Sequence, residues 1–170
     1  GRFDESLSLF HKAVELEPSV AEVNDKLSYA AYYAGHWDES ERAARRTLEL
    51  DPHYLSTHFK LGLIYMLQSK PEKGLIEMQA EPDPFQKAYG LSLVYHTMNM
   101  RREADSVLAA IIKQYQHEWA FQIGEIYAFR GETDRAFEWL DRAYRQRDGG
   151  LTQSNRDPLL RNIEKDPRFV

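Results

Sequence analysis

Gly1-Arg2-Phe3-Asp4-Glu5-Ser6 returns as Gly35-His36-Trp37-Asp38-Glu39-Ser40, and Leu16-Glu17-Pro18 returns as Leu50-Asp51-Pro52, both 34 residues on. Asn99-Met100-Arg101-Arg102-Glu103-Ala104 and Gly131-Glu132-Thr133-Asp134-Arg135-Ala136 echo the first hexapeptide downstream, 32 residues apart. A period in this range makes the chain an array of one supersecondary unit, because so short a unit cannot bury its apolar face alone and must stack on its neighbours. Within each period the apolar residues fall at i, i+3, i+4 spacing, the mark of helices with one buried face. Pro18 and Pro52 stand where a helix must end, since proline brings no N–H to the ladder. Gly35 and Gly131 mark the turn inside a unit, where a left-handed residue is convenient. Each unit is therefore a pair of helices, A then B. Type B helices are predicted at 3–16, 37–50, 71–80, 101–114 and 133–146, type A helices at 21–34, 54–68, 85–98 and 117–130, and strands nowhere.

Counted from residues 21, 55, 85 and 117 as position 1, every unit has a small residue at position 8 (Ser28, Gly62, Ser92, Gly124). Position 20 is small as well, at Ser6, Ser40, Gly74, Ala104 and Ala136. Leu27, Leu61, Leu91 and Ile123 hold position 7, and Tyr65, Tyr95 and Tyr127 hold position 11, with Phe10, Met78, Leu108 and Leu140 facing them from the B helices. The pattern resembles the tetratricopeptide repeat (TPR), whose A and B helices cross at positions 8 and 20 and need small side chains there.

That resemblance implies an all-α, right-handed α-α superhelix. It divides the chain into a partial repeat 1–18, repeats 21–54, 55–84, 85–116 and 117–148, and a C-terminal cap 149–170. There are then about four full helix pairs after one orphan B helix. Position 11 of the first full repeat is Ala31, beside Tyr32 and Tyr33, so that repeat should pack differently. Glu81-Pro82-Asp83-Pro84 cuts the next B helix short, because two prolines exclude helix, and a local break in regularity is expected there. The array begins inside a unit, so the chain reads as a piece of a longer protein. Helix 3–16 has lost its A partner and is a candidate homodimer contact.

After Arg147-Asp148-Gly149-Gly150 the period stops. Asp157-Pro158-Leu159-Leu160-Arg161-Asn162-Ile163 reads as a short helix with an Asp cap and Pro in its first turn. Leu159, Leu160, Ile163 and Phe169 are expected on helix 133–146, covering the apolar face an end repeat would otherwise expose. This tail is similar to the segment closing TPR arrays of bacterial signalling proteins. That likeness implies a regulatory setting, with self-association or ligand sensing as the alternative to partner binding.

The composition removes whole classes of function. Among 170 residues, 27 acidic and 22 basic side chains give a net charge of −5, the wrong sign for a phosphate-binding surface, so nucleic acid is not an expected partner. The period also differs from that of RNA-binding pentatricopeptide arrays. With no cysteine there are no disulfides, thiolates or Cys-type metal sites. The longest apolar run, Leu61 to Leu67, is far short of the ~20 residues that span a bilayer, so no membrane insertion is expected. A cytoplasmic location is expected, and the periplasm is equally compatible with the absence of cysteine. No phosphate loop, nucleophile elbow or paired-His zinc motif occurs, and the six histidines are scattered. No catalytic, cofactor or metal residue is assigned.

Function is instead expected on the A-helix face. Positions 2, 5, 6, 9, 12 and 13 point inward in the family, and they carry an aromatic row here: Phe59, Tyr89 and Phe121 at position 5, with Tyr29, Leu63 and Leu93 at position 9. Rigid rings give large contact area at small entropic cost. The candidate groove comprises Tyr29, Tyr33, Phe59, Lys60, Leu63, Tyr89, Leu93, His96, Phe121, Gln122 and Glu125. It would take a peptide or protein segment, oriented by Lys26, Lys60, Gln122 and Glu125. Rings packing on neighbouring A helices and merely closing the array are the competing explanation. The carboxylate clamp of chaperone-binding TPR domains is absent, since its Lys and Asn positions hold Asp25 and Tyr29.

Overall fold

The computed structural model describes residues 2–169, with side chains at all of these except 2–4 and 153–156. Gly1, the first turn glycine of the repeat pattern, lies outside the described residues. Among those described there are nine α-helices and no strand: α1 (Arg2–Leu16), α2 (Ala21–Ala34), α3 (Trp37–Leu50), α4 (Thr57–Leu67), α5 (Pro71–Ala80), α6 (Pro84–Thr97), α7 (Arg101–Tyr115), α8 (Ala120–Phe129) and α9 (Thr133–Gln146). Two short 3-10 segments follow, Gly149–Arg156 and Pro158–Leu160. The chain forms two compact units, 1–90 and 91–170, and the division falls within α6.

One device makes all four A-to-B turns. A residue with positive φ ends the A helix at Gly35, Ser69, Asn99 and Gly131 (φ 80°, 60°, 59° and 74°). Its N–H and the next one bond back to the last turn: Gly35 N to Tyr32 O and His36 N to Ala31 O, just as Ser69 N to Met66 O and Lys70 N to Tyr65 O. These paired bonds satisfy carbonyls that the helix end leaves open. Glycine announces two of the turns in the sequence, and Ser69 and Asn99 perform the same turn at some backbone cost.

Helix crossings follow the small residues. Ser28 and Ser40 meet directly between α2 and α3, each hydroxyl donating to the other's backbone carbonyl at 2.9 and 2.7 Å. Gly124 of α8 leaves room for Leu140 and the Ala136 carbonyl of α9, which a Cβ there would meet at 3.2 and 3.4 Å. Gly62 of α4 and Gly90 of α6 both abut the fully buried Met78 of α5. Gly90, which the repeat register places on the inner face, therefore serves packing instead. Around Ala31, Leu7, Leu27, Ala30 and Ala43 form a core with Phe10 and Val14 of α1, so the missing position-11 tyrosine is replaced by closer approach of small side chains.

Three boundaries differ from expectation. α4 begins at Thr57 rather than 54 because Ser56 is left-handed (φ 64°), and α8 begins at Ala120 rather than 117, after a turn at residues 116–118. The helix expected at 157–163 is a 3-10 turn, Pro158–Leu160, although Asp157 caps it as foreseen by accepting from Leu159 N at 2.8 Å. That turn packs mainly on α8, where the Asn162 amide also donates to the carbonyls of Ala128 and Phe129 at the helix end. Arg168 brings the end of the tail to α9, lying 4.3 Å from the Phe137 ring centre and 3.0 Å from Asp134.

Candidate functional site

In the first unit α2, α4 and the start of α6 supply Tyr29, Tyr33, Phe59, Lys60, Leu63 and Tyr89. Tyr29 is 38% exposed. Its ring lies 4.8 Å from that of Tyr33, which Tyr32 meets edge-on at 5.1 Å. Phe59, half-buried, packs at 5.3 Å on Tyr89, and Tyr89 stacks on Phe85 at 6.0 Å. Leu63 and Tyr89 are buried. The surface available to a ligand is thus Tyr29, Tyr33 and part of Phe59, while Tyr89 and Leu63 back it.

Lys60 does not point a free charge at this surface. Its ammonium pairs with the Asp25 carboxylate, approaches the Asp25 carbonyl at 3.4 Å and lies 5.9 Å from the Tyr29 ring centre. Burial pulls its pKa below the ordinary lysine range against the opposing pull of Asp25. The orienting role expected of Lys60 is therefore corrected to a fixing role: it ties α4 to α2 beneath Tyr29. Beside Tyr29 opens a cleft of about 430 Å³, lined also by Ser6, Phe10, Asp25, Lys26 and Ala30. The small Ser6 at position 20 is the sequence signal that could have located it.

The backbone that carries Phe59 is held from the far end of its own repeat. Glu81, only 1% exposed just past α5, accepts the Phe59 N–H at 2.9 Å and the Asp83 N–H at 3.0 Å. This carboxylate supplies the first-turn bond that no side chain at the α4 N-cap provides. Asp148 repeats the arrangement in the second unit, accepting from Phe121 N at 3.0 Å and Gly150 N at 2.9 Å. Neither contact shows in helical spacing, because each joins residues more than 20 positions apart.

In the second unit the expected groove residues meet a different fate. Leu93 (0%), Phe121 (2%) and Glu125 (4%) are buried. The tail passes so close over Phe121 that a Cβ on Gly150 would stand 2.4 Å from the ring. His96 and Gln122 remain half-buried. His96 meets Phe129 edge-on at 5.9 Å, and burial, followed by the Arg130 charge, lowers its pKa. The open aromatic row is corrected here: Leu93, Phe121 and Glu125 are part of the packed interior.

A second polar cluster lies on α3 and α4. Tyr65 donates to Glu41 at 2.8 Å, and Arg45 bonds both the Tyr65 hydroxyl and Glu41. Burial and the Glu41 bond push the Tyr65 hydroxyl up to about 12. Burial alone would raise Glu41, but bonds from Tyr65, Arg45 and Gln68 outweigh it and lower its pKa. Among the described residues no three His, Asp or Glu side chains are placed to hold a metal ion, and no helix is long and apolar enough to cross a membrane.

The repeated crossings have a family counterpart, for residues 26–88 match the tetratricopeptide repeat. That stretch carries the tetratricopeptide repeat, and the helix pairs around it share the fold of solved TPR proteins. Solved structures share its fold at low identity. A thermophilic TPR protein of Thermus thermophilus superposes with a TM-score of 0.69 at 20% identity, covering 89% of this chain and 87% of that one. MamA gives 0.60 at 18% identity, covering 88% and 91%. YrrB, described as a TPR protein with an unusual peptide-binding site, gives 0.56 at 19% identity, covering 89% and 82%.

Proposed function

We propose that this TPR array is a non-catalytic protein-interaction module whose first unit takes a partner's peptide segment, extended or helical, against Tyr29, Tyr33 and Phe59. The observation that carries this reading is Tyr29, an aromatic ring 38% exposed at the mouth of a 430 Å³ cleft. It is held from below by the Lys60–Asp25 pair, so little order has to be gained on binding. YrrB, a protein of the same fold, binds peptide by its own description. In the second unit His96 and Gln122 offer polar contacts over the buried Leu93, Phe121 and Glu125. The test is a peptide-array screen, followed by titration of the best binder against wild type, Tyr29→Ala and Phe59→Ala. An exposed anchor of this kind is worth about 2 kcal/mol, so Tyr29→Ala should weaken binding some 30-fold with the melting temperature unchanged. Equal binding by all three proteins would overturn the reading.

Self-association through α1 has its own support: Leu9 and Leu16, seven residues apart on one helical face, are 65% and 83% exposed. Sedimentation equilibrium separates the two readings. A monomer at every concentration removes the second.

A further inference from the structure

The position-11 tyrosines carry an unequal pattern. Tyr65 has the Lys73 ammonium 5.7 Å from its ring centre, and Tyr127 has the Arg135 guanidinium at 5.5 Å. In both repeats the cation stands eight residues after the tyrosine and follows an acidic residue, as Glu72-Lys73 and Asp134-Arg135. Arg135 also bonds the Tyr127 hydroxyl at 3.4 Å. Each pair is a cation held over an aromatic face by its own chain.

In the repeat between them the charges are exchanged. Eight residues after Tyr95 stands Glu103, preceded by Arg102. Tyr95 is half-buried, with no cation over its ring among the described residues. Where its counterparts hold Lys73 or Arg135 there is an open hollow of about 360 Å³, lined by Tyr95, Arg102, Glu103, Ser106 and Val107. We propose that this hollow is a seat for an arginine side chain of a partner protein, with the guanidinium stacked on Tyr95 and paired with the Glu103 carboxylate. Arg135 on Tyr127 shows that the same helix-pair geometry accommodates a guanidinium there. A planar guanidinium both stacks on a ring and bridges a carboxylate, which an ammonium does less well. Arg102 gives the rim one positive charge, so an arginine with an acidic neighbour matches the seat in both signs. This site lies wholly in the second unit and does not depend on the peptide surface of the first.

The test uses the whole chain and two probe peptides, Ac-Ser-Arg-Asp-Ser-amide and the same peptide with glutamine for arginine. The readout is the ring resonances of Tyr95, assigned through Tyr95→Phe. The arginine probe should shift them saturably and bind about two- to fivefold more tightly than the glutamine probe, the effect of one exposed cation–π contact. The exchange Arg102→Glu/Glu103→Arg should abolish the difference by filling the seat from within, leaving the melting temperature equal or higher. Glu103→Gln, a nearly isosteric surface change, should narrow it. Equal shifts from both probes, no shift from either, or an unchanged preference in both variants would overturn the proposal.

Discussion

Phe59 and Phe121 hold the same place in their repeats, and each has its N–H bound by a carboxylate from beyond the B helix, Glu81 or Asp148. Yet Phe59 keeps accessible surface beside Tyr29, while Phe121 is 2% exposed under the tail at Gly150. Periodic positions decide which way a side chain points. Whether it meets solvent is decided here by a segment that has no period at all.

The strongest way to break this contrast is to delete residues 149–170. Leu159, Leu160 and Ile163 are essentially fully buried, and each contributes on the order of 1.5–3 kcal/mol. The deletion should cost the second unit about 5 kcal/mol and leave Phe121 uncovered. Urea denaturation followed by dye binding reads both effects, and a second unit of unchanged stability would mean the tail does not hold it.

The carboxylates come next. Glu81→Ala leaves two part-buried N–H groups without that partner and should cost about 1–3 kcal/mol. Asp148→Ala should follow the same pattern at its own two N–H groups, costing about 1–2 kcal/mol, as seen in chemical denaturation. A milder probe is Gly150→Ala, whose Cβ meets the Phe121 ring and should cost about 1–3 kcal/mol. Gly149→Ala, with open space around it, should be close to neutral in the same melts.

The smallest effect is electrostatic and belongs to the first unit. The pKa of Glu41 is lower in the folded chain than its ordinary 4.5. Its stabilisation is therefore present above about pH 4.5 and lost as pH falls through the folded value. Wild type should melt above Glu41→Gln at pH 7, by the equivalent of under about 1 kcal/mol for a partly exposed group, with the gap closing toward pH 3. A gap that does not change with pH would assign the effect to packing.

Most helix boundaries were legible from local chemistry, as at Pro18, Pro52, Gly35 and Gly131, and the crossings were legible because Ser28 and Ser40, or Gly124 and Ala136, recur in register. The turns at Ser69 and Asn99 were placed by the period as well, but their left-handed conformation was not legible, since only glycine advertises it. The site was less legible. Glu81 and Asp148 act across more than 20 residues of chain, Gly90 yields its face to Met78, and the cover over Phe121 comes from outside the repeats. The spacing from Tyr65 to Lys73 and from Tyr127 to Arg135 was present in the sequence, and its exchange at Tyr95 and Glu103 acquires meaning only once the rings and cations are seen together.

The contrast itself can be measured by placing 4-fluorophenylalanine at 59 or 121 and recording the fluorine shift between light and heavy water. A solvent-dependent shift at 59, with none at 121 until residues 149–170 are removed, is the expected result. Equal solvent shifts at both sites in the full chain would contradict it, and with it the assignment of the open face to the first unit.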